Sequence, residues 1–406
     1  MAINVDSLYI DLHQHPELSF GETRTAGIVA SHLIDLRFDV TEQVGRTGVV
    51  GVLENGPGPV VYLRADMDGL PVREETGLPY ASTVIAADAA GDDVPVMHAC
   101  GHDVHVACLV GAAEWFATNT DAWSGTLVTI FQPAEEVMGG ARAMLADGLL
   151  EQFPFPDVVL GQHVSPLPAG AYAVRGGPAM AGVDTLNITF TGRGGHGSRP
   201  QTTIDPIVAA SAAVLRLQTI VSREVQPGDL AVVTVGTFNA GLKHNIIPAT
   251  ATLGLSIRSL NAASRDRILG SVERIVRAEA AASGMTTEPT ITPLESGPAT
   301  INDEAAAARV TEAFADAFGA GGLMDIGVSS GSEDVGTFAT AAGVPLVFWM
   351  FGGTDPDRFM RAAAAGTLDS DIPSNHSPFF APVIQPTLDN GVALLRVAAL
   401  EWLKKS

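Results

Sequence analysis

Cysteine is scarce in this chain: 406 residues include only Cys100 and Cys108. Two thiols cannot staple a chain of this length, so a core must hold it, and each thiol is read as a packing, metal or catalytic group in a reducing compartment. Positive charge is also short. There are 23 Lys and Arg against 45 Asp and Glu, a formal net charge of -22, and that field repels phosphate backbones and anionic membranes. Neither nucleic acid nor a membrane is an expected partner. The longest apolar run, Val344 to Phe351, falls far below the roughly 20 residues that span a bilayer. The opening MAINVDSLYIDLHQHPE has no basic segment followed by an apolar one, so a cytoplasmic location is expected. Aromatic residues make up 6%, but hydrophobic residues reach 46%, enough for a sizeable core. The 43 glycines and 25 prolines follow no collagen or low-complexity pattern.

What is present alternates. Between Gly48 and His163 the runs GVVGVLE, PVVYLRAD, TLVTIFQPAEE and VVLGQHV read as strands, with a helix from about Val104 to Thr118. Strands alternating with helices indicate an α/β fold, a mostly parallel sheet covered by helices. Asp66, the pair Glu135 and Glu136, and His163 are each expected where a strand ends, the edge at which open α/β sheets bind ligands. From about residue 183 the texture changes. Leu186, Ile188 and Phe190 alternate with Thr185, Asn187 and Thr189, the period of a half-buried antiparallel strand. A helix from about Asp205 to Ser222, the strands LAVVTVGTF and TATLGLSI, a helix from about Ala262 to Ala282 and a strand near MTTEPTITP complete a ferredoxin-like α+β pattern. The expected organisation is a catalytic domain over 1–182 and 296–406, interrupted by an inserted module over 183–295.

Several motifs carry chemistry. In MHACGHDVH, Cys100 and His102 flank Gly101, so a thiolate and an imidazole can converge on one ion. A buried structural cysteine, or a cysteine nucleophile activated by His102 or His98, fits the same residues. Cys108 reads as core packing. In FQPAEE the adjacent carboxylates Glu135 and Glu136 repel unless a cation or a proton separates them. One can bind a metal while its neighbour moves a proton; the alternative is a pair of solvated acids in a first helical turn. His163 in GQHVSP and His376 in IPSNHSPFF extend the set of ligand types that the topology would bring to one sheet edge. In the inserted module GRGGHGSRP matches a dinucleotide fingerprint, but the helix starts too late and no acid follows at the required distance. It reads instead as a glycine loop presenting His196. Asn245 in KHNIIP offers a neutral donor, and Arg258 a fixed cation suited to a carboxylate; a turn, a cap and a surface ion pair are equally open readings. Met180, Gly352 and Gly353 are candidates for the pocket that would choose the substrate.

With these motifs in order, the chain resembles the metal-dependent amidohydrolase family of hippurate hydrolase, N-acyl-amino-acid amidohydrolases and plant indole-acetyl-amino-acid hydrolases. The similarity runs through HQHPELSF, LRADMDGLPVREETGLPYAS, MHACGHDVH, FQPAEE, GQHV, GGHGSRP, HNIIP, SGSEDVGTF and NHSPFFAP. It implies that Cys100, His102, Glu136, His163 and His376 hold one or two divalent ions, Zn²⁺ or Mn²⁺ before Co²⁺ or Ni²⁺, and that Glu135 is the general base. It further implies a homodimer, or a tetramer built from it, formed through the inserted lid domain. His196, acting in its own site or reaching into the partner subunit's, and Asn245 would polarise the scissile carbonyl, and Arg258 and Gly353 would contact substrate. Where distant relatives carry a His-x-Asp ligand pair this chain has Arg64-Ala65-Asp66, and Cys100 stands where they have aspartate. The expected reaction is hydrolysis of an N-acyl amino acid. A dipeptidase or aminopeptidase of the same fold, and a silent metal-binding protein, are the competing expectations.

Overall fold

The computed structural model describes residues 3–405. The chain divides into two compact units, Met1–Ala179 with Ile301–Gly327 and Asp334–Ser406, and Met180–Thr300 with Val328–Glu333.

The first unit is built on a seven-stranded sheet. Its order is Asp39–Val44, Gly48–Asn55, Gly125–Gln132, Val60–Asp66, Val158–Pro168, Leu346–Thr354 and Tyr172–Ala173. The four strands from Gly125–Gln132 to Leu346–Thr354 run parallel, with antiparallel strands at both edges. Val60–Asp66 is almost wholly buried, as expected of a parallel strand covered on both faces. The helix His102–Thr118 is buried over most of its circumference because its sequence is apolar nearly throughout. With the C-terminal helix Ile384–Leu403 it contributes to one core that includes Val61, Leu63, Leu109, Phe116, Trp349 and Leu395.

One expectation is corrected here. His163 does not end its strand, which continues to Pro168. Arg64 pairs with Gly161, so two residues further along Asp66 and His163 stand at the same level. The sheet edge is therefore stepped, and His163 sits inside a strand that outruns its neighbour.

The second unit is the expected α+β pattern. Its antiparallel sheet has the order Ala231–Ala240, Thr250–Ser259, Gly182–Thr191, Thr290–Gly297. In chain order that is 2-3-1-4, with the helices Pro206–Thr219 and Ala262–Ala282 as the two crossovers. Leu186, Ile188 and Phe190 face these helices in a core with Ala209, Ala213, Leu253, Ile268 and Val272. Among the described residues no helix is long and apolar enough to cross a membrane.

The N-terminal helix Val5–Gln14 is fastened by charge. His13 is buried, with Nδ1 2.6 Å from Asp103 and Nε2 3.1 Å from Glu74. Burial alone would lower its pKa, but the two carboxylates outweigh burial and raise it to about 10. A folded-state pKa above the unfolded value of about 6.5 stabilises the fold fully below that pH and ceases to do so as pH rises through about 10. Denaturant unfolding should therefore show wild-type stability declining between those limits. His13→Gln should be less stable near neutral pH and should lack that part of the decline; an unchanged slope would remove the proton from His13.

Candidate active site

Side chains from four segments of the first unit meet at the C-terminal edge of its parallel strands. Cys100, His102 and His163 present donor atoms that all lie within 4.8 Å of one another. The groupings Cys100 with Glu136 and His376, and His102 with Glu135 and Glu136, satisfy the same limit. The structure thus assembles all five expected ligands, and Glu135 beside them.

Local sequence explains the placement. Gly101 has φ +86, and a Cβ there would stand 2.4 Å from Val164 Cγ1, so only glycine lets the chain turn between Cys100 and the first helical residue, His102. The side chain of Asn375 donates to the carbonyls of Cys100 and Val164, at 3.0 and 3.2 Å. The neighbouring amide of His376 donates to Ala99 at 2.8 Å. These bonds hold the NHS turn against the Cys100 segment.

Hydrogen bonds also set the tautomers. His163 Nδ1 donates to its neighbour's carbonyl at 2.7 Å, so its Nε2 lone pair faces Cys100 Sγ at 3.4 Å. The backbone N–H of Val164 donates to His105 Nε2 at 2.8 Å, which puts the His105 proton on Nδ1, toward Asp66. His102 Nδ1 lies 3.2 Å from Asp68 Oδ1, an arrangement that turns its Nε2 inward.

That inward nitrogen tests whether a metal fits. His102 Nε2 and Glu136 Oε1 are buried and lack hydrogen-bond partners, an arrangement that costs free energy unless something else satisfies them. They lie 3.8 Å apart, His102 Nε2 is 3.6 Å from Asp66, and His376 Nε2 is 3.4 Å from Glu136 Oε2. These separations are long for hydrogen bonds. Two donors each about 2.1 Å from one tetrahedral ion would stand about 3.4 Å apart. A donor set of sulfur, imidazole and carboxylate suits borderline-soft divalent ions, so the residues present fit such an ion.

The electrostatics agree. Burial, reinforced by Glu136, Glu135 and Asp66, raises the Cys100 thiol well above its usual range. His163 is held well below the usual imidazole range by burial and by its histidine neighbours. A thiolate–imidazolium nucleophile is therefore disfavoured here, and a cation is what the acids call for. Burial opposes ionisation of Asp66, but Arg64, His102 and His105 overcome it and hold the carboxyl well below its usual range. Asp68 is likewise lowered, with His102, Ser19 and a backbone donor outweighing burial.

Sequence reasoning missed Asp68. It accepts the backbone N–H of Glu135 at 3.1 Å and of Glu136 at 3.0 Å while facing His102, so it orients a ligand and the acidic pair together. Two acids spaced by one residue at a strand end, in RADMD, were the available signal. Arg64, noted only as a departure from distant relatives, is a buried cation bonded to Gln132, Asp66 and Asp334.

The other expected residues are placed differently. A Cβ on Gly353 would lie 2.8 Å from Val164 and 3.0 Å from Pro382, so close packing already accounts for glycine there. His196, Asn245 and Arg258 belong to the second unit. His196 Nδ1 accepts from the backbone N–H of Ser198 at 3.1 Å, leaving the neutral ring's proton on Nε2. Gly197 donates to the Asn245 carbonyl at 2.8 Å, so these two loops are neighbours. Arg258 is half-buried and donates to Ser332.

A site of this composition at the edge of an α/β sheet, in a chain that also carries a ferredoxin-like unit, defines a hydrolase of the metallopeptidase class. The model of peptidase family M20/M25/M40 matches residues 62–371, and the chain belongs to that family. It is 42% identical over 310 residues to a hippurate hydrolase of Campylobacter jejuni, covering 76% of this chain and 77% of that one. It is 34% identical over 397 residues to an IAA-amino acid hydrolase of Arabidopsis thaliana, covering 97% and 84%. A crystal structure of a Bacillus subtilis protein, described as a dinuclear metal-binding peptidase from the M20 family, superimposes with a TM-score of 0.76 at 29% identity, covering 98% of each chain.

Asp68→Asn would place an amide N–H₂ against the donors of Glu135, Glu136 or His102. Metal affinity should fall about 10–100-fold, measured by competition with a chromogenic chelator; wild-type affinity would refute the orienting role.

Proposed function

We propose that the protein hydrolyses the amide bond of N-acyl amino acids, releasing a carboxylate and a free amino acid, with Cys100, His102, Glu136, His163 and His376 holding one or two divalent ions. The observation that carries the reading is the inward, unsatisfied pair His102 Nε2 and Glu136 Oε1 in a donor set completed by Cys100, His163 and His376. A bound divalent ion supplies Lewis acidity to the amide carbonyl and lowers the pKa of water toward roughly 7.

The chain's own residues do the rest. Glu135, 5% exposed and grouped with His102 and Glu136, takes the proton of the attacking water and delivers it to the departing amine nitrogen. Glu136 stays a ligand, which resolves the like-charge conflict between adjacent acids. His196 offers its Nε2 proton, and Asn245 its side-chain amide, to the oxygen that gains charge. Loss of one such donor costs on the order of 10²–10³ in rate. Arg258 would hold the substrate carboxylate, and Gly353 would contact substrate through its backbone, since Val164 and Pro382 fill the space a side chain would take.

The second unit is proposed to join two chains. Its strand Ala231–Ala240 is an open sheet edge, and Phe238 on that strand with Val208 and Leu215 on the helix Pro206–Thr219 are exposed. An open edge flanked by apolar side chains is a template for strand pairing, and a second copy supplies a matching strand by two-fold symmetry.

The relatives named for hippurate and IAA-amino acid hydrolysis support blocked substrates. The test is release of amino acid from N-benzoyl, N-acetyl and indole-acetyl amino acids beside unblocked dipeptides. Blocked substrates should turn over, and Glu135→Gln should retain bound metal while kcat falls by at least about 10²-fold. Turnover of dipeptides alone would establish a peptidase instead, and retained activity in Glu135→Gln would remove that residue from the base role.

A further inference from the structure

Glu22 opens the helix Thr23–Asp35 but makes no capping bond to it. Its carboxylate is wholly buried and reaches three other segments. Oε1 accepts the backbone N–H of Phe20 at 2.9 Å and of Ala134 at 2.8 Å, and Oε2 accepts the Thr47 hydroxyl at 2.5 Å. Among the described residues Glu22 has no ion-pair partner, so its carboxyl group is held in the interior by neutral donors alone. Burial and the nearby Asp68 carboxylate push its carboxyl up to about 7, while those donors pull it down.

The donors explain the arrangement. Phe20 at φ 63 and Ala134 at φ 50 are non-glycine residues in the left-handed region, which side chains disfavour. Ala134 immediately precedes Glu135. Its carbonyl accepts from Gly139 at 3.2 Å and Gly140 at 3.1 Å, and Gly140 is confined to glycine because a Cβ there would meet the Pro133 carbonyl at 1.6 Å. The next two amides, of Glu135 and Glu136, go to Asp68. Three successive N–H groups of the acidic segment are thus held by two carboxylates from elsewhere in the chain.

We infer that Glu22 is a positioning residue for hydrolysis, fixing Ala134 in its left-handed conformation so that Glu135 is aimed at the reacting centre while the metal ligands are left in place. The inference rests on Glu135 being the base.

The experiment compares wild type, Glu22→Gln, Glu22→Gln/Ala134→Gly and Glu135→Gln, each loaded with Zn²⁺, using hippurate. Glu22→Gln should lose on the order of 10–10²-fold in kcat, as a displaced catalytic group does. Its KM and bound metal should stay within about twofold of wild type, and the Ala134 amide should exchange hydrogen faster. The double variant should regain part of the lost kcat, since glycine adopts positive φ without side-chain strain; a purely structural role for Glu22 predicts no such recovery. Wild-type kcat in Glu22→Gln, a kcat loss that merely tracks lost metal, or unchanged Ala134 exchange would each overturn the inference. Should Glu22→Gln fail to fold, Thr47→Val removes one donor from the same carboxylate. A several-fold fall in kcat at constant KM supports the role, and unchanged kcat overturns it. An active Glu135→Gln would instead strike the reading of Glu135 as base, so the two failures are distinguishable.

Discussion

The structure depends on how a set of carboxyl groups is accommodated out of water. Asp66, Asp68, Asp103, Glu22, Glu135, Glu333 and Asp334 are all buried, and a buried carboxylate without compensation loses its charge or the fold. Compensation comes in three forms. Arg64 serves Asp66 and Asp334, His13 serves Asp103, and backbone amides serve Asp68 and Glu22. Glu136 receives none of these in full, and its unsatisfied oxygen faces an equally unsatisfied imidazole nitrogen. The incomplete place in the network is where a divalent cation fits.

The proposed roles separate binding from chemistry. The proposed ligands sit at rigid positions: His102 begins a buried helix, and His163 lies inside a strand, paired with Met350. Glu135, the proposed base, comes from a turn with Ala134 at positive φ, whose amides are held by Asp68 and Glu22. A base that moves protons is better carried on a held turn beside the ligands than among them, because its position can be set without altering coordination.

Much of this was legible in the sequence. The α/β pattern, the switch to period-2 alternation near residue 183 and the helix Ala262–Ala282 follow from local periodicity, which reports burial directly. Cys100, His102, Glu135, Glu136, His163 and His376 stood out because their chemistry is unusual at strand ends and in tight turns. What escaped is what depends on partners far away in the chain. Glu22 meets Ala134, Asp68 meets Glu136 and His13 meets Asp103, across separations over which periodicity carries no information. An Asp or Glu in a polar stretch looks the same whether solvated or buried. The length of the strand bearing His163 was misjudged for a related reason: pairing of Ser165 with Gly352 and of Pro168 with Thr354, far away in the chain, extends the strand past His163.

The central claim is that hydrolysis depends on an ion held by this donor set. It is tested most directly by stripping the protein with a chelator, confirming that it remains folded, and titrating Zn²⁺ or Mn²⁺ back while following glycine release from hippurate. Activity should be absent in the stripped protein and should rise in proportion to bound metal, saturating at one or two ions per chain. Full activity in the stripped, folded protein would contradict the claim.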